Sequence, residues 1–222
     1  MYLIAADYDR TLAAEEDRFI LKPKVRDAIN AFCKDNLFVI VSGRTKKDIE
    51  ALSEGLEPSA WILENGTLIF YKNDIIRNYP ESWSAARKRI IELLNANNIK
   101  YSLGEVIIFL GDISNYKEKV IEIINNVDGA SIEFNRHDAM ILPKDINKGI
   151  GLRRFINEIK FNGTIIAVGD GENDLSLFEE ANIKVAVNNA IEQLKRRADI
   201  VLKNPDGDGI LELINMIRKK EI

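Results

Sequence analysis

The sequence predicts an α/β fold in which a doubly wound parallel sheet carries a small inserted α+β unit. An apolar run of strand length at residues 1–6 ends directly at Asp7 and Asp9, where a parallel sheet has its ligand crevice. On both flanks of the chain, short β-branched runs alternate with stretches of helical periodicity, which is the order of βαβ units. In the middle, two strong helical patterns with hairpin-like strands between them interrupt that alternation.

The first flank reads as β-α-β-α-β. Pro23 stands near the start of a helical pattern, where its missing N–H is harmless, and Thr45 and Asp48 form an N-terminal cap pair for a second helix. The predicted elements are a helix over 22–36, a helix that begins after Thr45, and strands over 37–41, 61–63 and 67–71.

The second flank repeats this order, so both flanks are predicted to form one core domain, residues 1–76 and 148–222. Its predicted elements are helices over 148–160, 190–197 and 208–220 and strands over 164–168, 184–187 and 199–202.

The segment between the flanks predicts a separate inserted domain over 77–147. Amphipathic helices are predicted over 84–97 and 116–126, a strand over 106–110, and a hairpin of strands 131–134 and 139–142. The only histidine, His137, lies in the hairpin turn, where a solvated residue is expected rather than a catalytic one.

Composition limits the possible partners and the location. The 222 residues carry a formal net charge of -4 with lysines and arginines scattered, which argues against nucleic acid as a partner. Cys33, expected in a buried helix position, is the only cysteine, so no internal disulfide can form. No basic leader precedes the first strand, and no apolar run approaches the roughly 18 residues that span a bilayer. We expect a cytoplasmic protein without a membrane partner, as a monomer or homodimer.

The two aspartates at the end of the first strand predict metal and phosphorus chemistry. Asp7 and Asp9 repel each other unless a cation or a shared proton relieves them. An all-oxygen site suits Mg²⁺, and a carboxylate can attack phosphorus to give an aspartyl-phosphate. The alternative is a solvated acidic turn.

Three further segments place reactive groups beside predicted elements. Ser42 and Gly43 offer a hydroxyl and an open N–H to a phosphate oxygen, or Ser42 is an ordinary helix cap. Asp170 and Asp174 either complete the metal site or belong to a solvated Gly-Asp turn. Lys148 supplies positive charge at the site or is a solvated residue at a helix start.

Taken in order, these residues resemble the four motifs of the haloacid dehalogenase-like hydrolase superfamily. The matching segments are Asp7-Tyr-Asp-Arg-Thr-Leu, Ile40-Val-Ser-Gly-Arg, Asn147-Lys-Gly and Gly169-Asp-Gly-Glu-Asn-Asp. The resemblance spans the chain and implies a Rossmann-like core. The insert is similar to the cap of the branch with Cof-like sugar phosphatases, sucrose-phosphatase-like enzymes and archaeal phosphoglycolate phosphatases, and the short chain and small insert are most similar to the last group.

The resemblance also implies a role for each motif residue. Asp7 would attack phosphorus, and Asp9 would protonate the leaving oxygen and then deprotonate the hydrolytic water. Mg²⁺ would be held by Asp7, the backbone carbonyl of Asp9, Asp170 and Asp174, the last directly or through water. The phosphoryl oxygens would be held by Ser42, the Gly43 amide, Lys148 and Asn173.

One position departs from the family pattern. Arg10 stands where the first motif usually has glycine, so its side chain either contacts a substrate anion or is solvated. We expect it to be solvated.

The resemblance implies a Mg²⁺-dependent phosphatase for a small phosphorylated metabolite, with 2-phosphoglycolate as the favoured substrate. A broader sugar-phosphate phosphatase is the first alternative. The second is a receiver-like phospho-acceptor module, which also joins clustered acids, a hydroxyl and a lysine around Mg²⁺. Two features oppose that module: Asp9 provides a built-in acid and base, and a large insert would hinder a protein phosphodonor.

Overall fold

The structure is a computed structural model that describes residues 1–222. The strands are β1 (Tyr2–Ala6), β2 (Leu37–Val41), β3 (Ala60–Leu63), β4 (Leu68–Tyr71), β5 (Asp74–Arg77), β6 (Ser102–Leu103), β7 (Ile108–Leu110), β8 (Ala130–Asn135), β9 (Asp138–Pro143), β10 (Thr164–Gly169), β11 (Ile183–Ala186) and β12 (Ile200–Val201). The helices are α1 (Pro23–Phe32), α2 (Lys46–Leu52), α3 (Trp83–Ala96), α4 (Lys117–Asn125), α5 (Lys148–Ile159), α6 (Leu175–Phe178), α7 (Glu192–Lys195) and α8 (Asp206–Arg218).

The large sheet places β1 at its centre, in the order β12-β11-β10-β1-β2-β3-β4-β5. The six strands from β12 to β3 run parallel, and most apolar residues of the central strands β10, β1 and β2 are buried, as expected for a sheet covered by helices on each side. Ala6 pairs with Val168 on one side and with Ile40 on the other. The residues that follow these three strands therefore meet at one edge of the sheet.

The predicted doubly wound fold is confirmed, with one difference at the edge. β4 runs antiparallel to β3, and an unpredicted strand, β5, pairs antiparallel with β4. The short β5 lies at the exposed edge of the sheet, so it has no continuous apolar run by which sequence periodicity could have revealed it. Cys33 is half-buried just after α1 rather than buried within it.

The segment between β5 and α5, residues 78–147, has its own sheet in the order β6-β7-β9-β8 and its own apolar core. We call this segment the small unit. Trp83 and Ile90 of α3 and Val120 of α4 are buried in that core with Ile141 of β9. The predicted hairpin is β8–β9, and His137 is exposed in its turn, as expected. The longest helix, α3, has 14 residues, and none of the helices combines the length and apolar character needed to cross a membrane.

Candidate active site

Lys148 is buried between two carboxylates at the edge where the central strands end. It is the first residue of α5, whose start is capped by the Asn147 side chain accepting from the Ile150 N–H at 2.8 Å. The Lys148 ammonium donates to Oδ1 of Asp7 at 2.6 Å and to Oδ1 of Asp174 at 2.7 Å. The alternative of a solvated lysine is therefore wrong.

Asp174 is fixed by the backbone of its own motif. Its Oδ2 accepts from the N–H groups of Asp170, at 2.9 Å, and Gly171, at 3.0 Å. Asp170 itself is only 4% exposed, and Thr11 Oγ1 lies 3.5 Å from its Oδ1. These contacts exclude the alternative of a solvated turn.

Asp7, Asp170 and Asp174 form a three-aspartate cluster in which one oxygen of each lies within 4.8 Å of the others. Burial raises the pKa of Asp7 well above its usual range, although Lys148 opposes this, and burial together with Asp174 raises the pKa of Asp170 to about 7. Burial alone would lower the pKa of Lys148, but Asp174 and Asp7 raise it above its usual value. Three buried carboxylates around one ammonium favour a further cation, and their all-oxygen donors fit Mg²⁺.

The side chain of Asp9 lies apart from the three-aspartate cluster and pairs with Arg44. Arg44 Nε donates to both carboxylate oxygens at 2.9 Å, and Nη2 donates to Oδ1 at 2.5 Å. The guanidinium carbon of Arg44 lies 4.9 Å from the ring centroid of Phe19. Because Arg44 holds the carboxylate of Asp9, the backbone carbonyl is the group that Asp9 can offer to a metal. The family resemblance implies the same ligand.

The loop after β2 places Ser42 and Gly43 next to this pair. Ser42 is fully buried, and its Oγ accepts from the Arg44 N–H at 3.2 Å. It does not cap α2, because Thr45 does so by accepting from the Asp48 N–H, as predicted for that pair. A Cβ at Gly43 would lie 2.8 Å from Sδ of Met140 in the small unit, so a larger residue would displace that neighbour.

A cavity of about 480 Å³ lies between the large sheet and the small unit. The core contributes carboxylates, Gly43, Lys148 and Asn173 to its lining, and the small unit contributes Phe109, Asn135 and Met140 among others. This volume accommodates a small metabolite. All of the predicted catalytic and phosphate-binding residues except Ser42 line this cavity, and Ser42 lies directly beside Gly43.

Arg10 lines the same cavity, so the expectation of a solvated side chain is wrong. Its backbone takes the left-handed conformation with φ of 61°, and its side chain is 16% exposed. Nε donates to Glu15 Oε2 at 2.9 Å, and the guanidinium carbon lies 5.7 Å from the ring centroid of Phe19. A side chain in the place of glycine is accommodated here because Glu15 and Phe19 hold it against the cavity wall.

The small unit also brings two charged residues, Arg136 and Glu133, to the core. Arg136 Nη2 lies 3.4 Å from Oδ2 of Asp170. Glu133 Oε2 accepts from Asn65 Nδ2 at 2.8 Å, and burial raises the pKa of Glu133 to about 7, with Lys148 lowering it and Asp174 raising it. The sequence could have pointed to Asn65 in one way only: it follows β3, and the residues that follow the parallel strands meet at the site.

Glu64 ties the small unit to the loop that carries Gly43 and Arg44. Its buried carboxylate accepts from the N–H groups of Glu105 and Val106 at 2.8 Å and of Ile107 at 3.0 Å. Its own N–H donates to the carbonyl of Arg44 at 3.2 Å. Glu64 therefore links the small unit directly to this loop.

Known proteins with similar sequences match this chain over nearly its whole length. The family model described as haloacid dehalogenase-like hydrolase matches residues 4–112 and 105–214 of this chain. A Saccharolobus solfataricus protein named phosphoglycolate phosphatase 2 is 46% identical over 217 residues, which are 97% of this chain and 91% of that protein. A Sulfurisphaera tokodaii phosphoglycolate phosphatase is 42% identical over 215 residues, 97% of this chain and 93% of that protein.

A solved structure shows the same fold at lower identity. The sucrose-phosphatase of Synechocystis sp., in complex with sucrose and phosphate, aligns with a TM-score of 0.73 over 96% of each chain at 18% identity. The family match and the relatives extend over nearly all of this chain, so the resemblance seen in the motifs is confirmed. The chain is a phosphoric monoester hydrolase and belongs to the haloacid dehalogenase-like hydrolase family.

Proposed function

We propose that the chain is a Mg²⁺-dependent phosphatase that hydrolyses 2-phosphoglycolate through an aspartyl-phosphate on Asp7. The observation that carries this proposal is the burial of Asp7 against Lys148, beside Asp170 and Asp174, at the open end of the central strands. The relatives named as phosphoglycolate phosphatases support the substrate. We further propose that residues 77–147 form a cap domain and that the enzyme acts in the cytoplasm as a monomer or homodimer.

In the first step, a carboxylate oxygen of Asp7 attacks phosphorus, and the bond from phosphorus to the leaving oxygen breaks. Asp9 gives its proton to that oxygen, so glycolate leaves as an alcohol. Lys148, the Gly43 amide, Ser42 and Asn173 are the donors for the equatorial phosphoryl oxygens. Mg²⁺ on Asp7, the Asp9 carbonyl, Asp170 and Asp174 would neutralise negative charge on the phosphoryl group.

In the second step, water attacks the phosphorus of the aspartyl-phosphate and gives a proton to Asp9. The bond between the Asp7 oxygen and phosphorus breaks, which returns both carboxyl groups to their starting states. The small unit forms one wall of the cavity that Asp7 lines, so it would limit the access of bulk water during this step.

A broader sugar-phosphate phosphatase is the second candidate, because a cavity of about 480 Å³ also has room for a hexose phosphate. Membership of a hydrolase family and coverage of Asp7 by the small unit argue against the phospho-acceptor alternative.

The test is kcat/KM for 2-phosphoglycolate, a hexose 6-phosphate and a nucleoside monophosphate under identical Mg²⁺, with Asp7→Asn protein as the control for contaminating phosphatases. We expect 2-phosphoglycolate to be the best of the three. A preference for the hexose phosphate of about tenfold or more, equivalent to roughly 1.4 kcal/mol in the transition state, would replace the first candidate by the second.

A further inference from the structure

Arg10 lines the cavity, and two nitrogens of its guanidinium have no partner in the protein. Its side chain is 16% exposed, and the only hydrogen bond that it donates runs from Nε to Glu15. No protein acceptor bonds to Nη1 or Nη2. A largely buried guanidinium with unpaired donors is costly unless an anion satisfies them. The unpaired edge of Arg10 therefore suits an anion from outside the protein.

The surroundings of Arg10 hold it in a fixed position. Its N–H donates to the Ala13 carbonyl at 2.8 Å, and its own carbonyl accepts from Nδ2 of Asn189 at 2.7 Å. These two bonds maintain the left-handed backbone, with φ of 61°. The bond to Glu15 and the ring of Phe19, whose centroid is 5.7 Å from the guanidinium carbon, restrict the side chain. The guanidinium is preorganised, so binding an anion requires little further ordering.

The other cations beside the cavity are already engaged by aspartates of the site. Lys148 donates to two of them, and Nη2 of Arg136 lies 3.4 Å from another. Arg44 donates to both oxygens of Asp9. Arg10 differs because its single partner is a glutamate with a 59% exposed side chain. Arg10 can therefore take a further anion without giving up an aspartate.

A phosphorylated 2-hydroxy acid carries an anion at the matching place. Arg10 directly follows Asp9, the residue that meets the leaving oxygen in the proposed mechanism. In such a substrate the carboxylate is attached to the carbon that bears the leaving oxygen, so it lies close to the same acid. A carboxylate there is repelled by Asp9 unless a cation compensates its charge. A guanidinium can do so through two parallel hydrogen bonds.

We propose that Arg10 binds the carboxylate of the substrate through Nη1 and Nη2 and thereby makes the enzyme selective for small phosphorylated 2-hydroxy acids. The proposal rests on the proposed function and adds the residue that determines its substrate class. A phosphomonoester without a second anion gains nothing from Arg10. Attack on phosphorus by Asp7 does not depend on it.

The experiment compares 2-phosphoglycolate with ethyl phosphate, in which a methyl group replaces the carboxylate, in wild type, Arg10→Gly and Arg10→Lys. Glycine suits a φ of 61° best, so Arg10→Gly removes the side chain without straining the fold. Hydrolysis of p-nitrophenyl phosphate, which has no carboxylate, reports that each variant is folded and able to attack phosphorus. Arg154→Gln, on the exposed face of α5, is the control for loss of an arginine.

In Arg10→Gly, kcat/KM for 2-phosphoglycolate should fall at least about tenfold, the order of a lost hydrogen bond to a charged group. Ethyl phosphate and p-nitrophenyl phosphate should change less than about threefold. Comparing each substrate between variant and wild type cancels the different reactivities of the leaving groups. Arg10→Lys should show an intermediate loss with 2-phosphoglycolate, since it keeps the charge without the fork. Arg154→Gln should match wild type with all three substrates.

An unchanged kcat/KM for 2-phosphoglycolate in Arg10→Gly would overturn the proposal and leave the proposed function intact. Equal losses with all three substrates would also overturn it, because Arg10 would then support attack on phosphorus in general. Arg44→Gln and Arg136→Gln are measured in parallel. A loss confined to 2-phosphoglycolate in one of these, without such a loss in Arg10→Gly, would assign the carboxylate to that arginine instead. The proposed function fails separately, in wild type alone, if a hexose 6-phosphate is the better substrate.

Discussion

The Lys148 ammonium lies 2.6 Å from Oδ1 of Asp7, and both side chains are buried. The lysine therefore has two functions in the proposed mechanism. In the resting protein it neutralises part of the charge of the three-aspartate cluster, and during phosphoryl transfer it compensates charge on the phosphoryl oxygens.

Replacing Lys148 by Met should remove activity and destabilise the metal-free protein. The change leaves Asp7 and Asp174 buried without their shared cation, which costs on the order of 3–5 kcal/mol in the free energy of unfolding. Urea unfolding in chelator measures this, with Lys119→Met on the exposed face of α4 as the control. Lys148→Arg should also be poorly active, because a planar fork does not reproduce a compact ammonium. Near-normal phosphate release by Lys148→Met would contradict the assigned role.

Metal removal should abolish phosphate release, and Mg²⁺ should restore it. Ca²⁺ should inhibit, because its higher coordination number draws both oxygens of Asp7 away from attack. Mg²⁺ at about 100 times its Kd should also raise the free energy of unfolding by about 2.7 kcal/mol, and Asp174→Asn should reduce that gain. Full turnover in chelator, with metal content checked by elemental analysis, would exclude the metal.

Glu133→Gln should stabilise the metal-free protein in a pH-dependent way. The pKa of Glu133 is raised from 4.5 to about 7, so the folded protein holds a proton that the unfolded chain releases. The contribution of this bound proton to the free energy of unfolding is therefore fully present below pH 4.5 and is lost as pH rises through about 7. Gln stays neutral, so the advantage of the variant should grow across this window to at most about 3 kcal/mol.

Urea unfolding in chelator at about pH 5 and about pH 8 measures the effect of Glu133→Gln, since these values bracket most of the window. Asp170 titrates in the same pH range in wild type and in Glu133→Gln, so its effect cancels in the difference between their free energies of unfolding. Glu122→Gln, on the exposed face of α4, is the matched control. The same stability difference at both pH values would show that Glu133 does not titrate in this range.

Glu64→Gln should loosen the small unit from the core. A glutamine keeps one acceptor oxygen but turns an N–H₂ group toward the backbone donors of residues 105–107, at a cost of about 2–3 kcal/mol. Hydrogen exchange of the 105–107 amides should accelerate more than that of the buried strand β1. Glu57→Gln, an exposed residue before β3, is the control. If the hydrogen-exchange rates of these amides did not change in Glu64→Gln, Glu64 would not be the residue that holds the small unit to the core.

The sequence predicts the sheet and the cluster of acids because both depend on local patterns. Residues 1–6, 37–41 and 164–168 are apolar runs whose ends are visible, and parallel pairing brings whatever follows them to one edge. The sequence pattern alone is therefore enough to place Asp7 and Asp170 near each other.

Contacts that depend on side-chain direction or on distant segments could not be predicted in this way. Asp9 follows the same strand as Asp7, yet its carboxylate turns to Arg44. Glu64 meets backbone donors some forty residues later in the chain. The pattern around Arg10 predicts a solvated side chain, because nothing in it shows that Phe19 and Glu15 return to cover the guanidinium.

Acid quenching of an Asp9→Asn variant, mixed with Mg²⁺ and p-nitrophenyl phosphate, tests covalent catalysis by Asp7 most directly. The good leaving group needs little acid, while hydrolysis of the phosphoenzyme lacks its base, so the intermediate should accumulate. We predict that the peptide containing Asp7 gains the mass of one phosphoryl group and that the Asp7→Asn/Asp9→Asn double variant gains none. Steady phosphate release by Asp9→Asn without a modified Asp7, or phosphorylation elsewhere in the double variant, would contradict the mechanism.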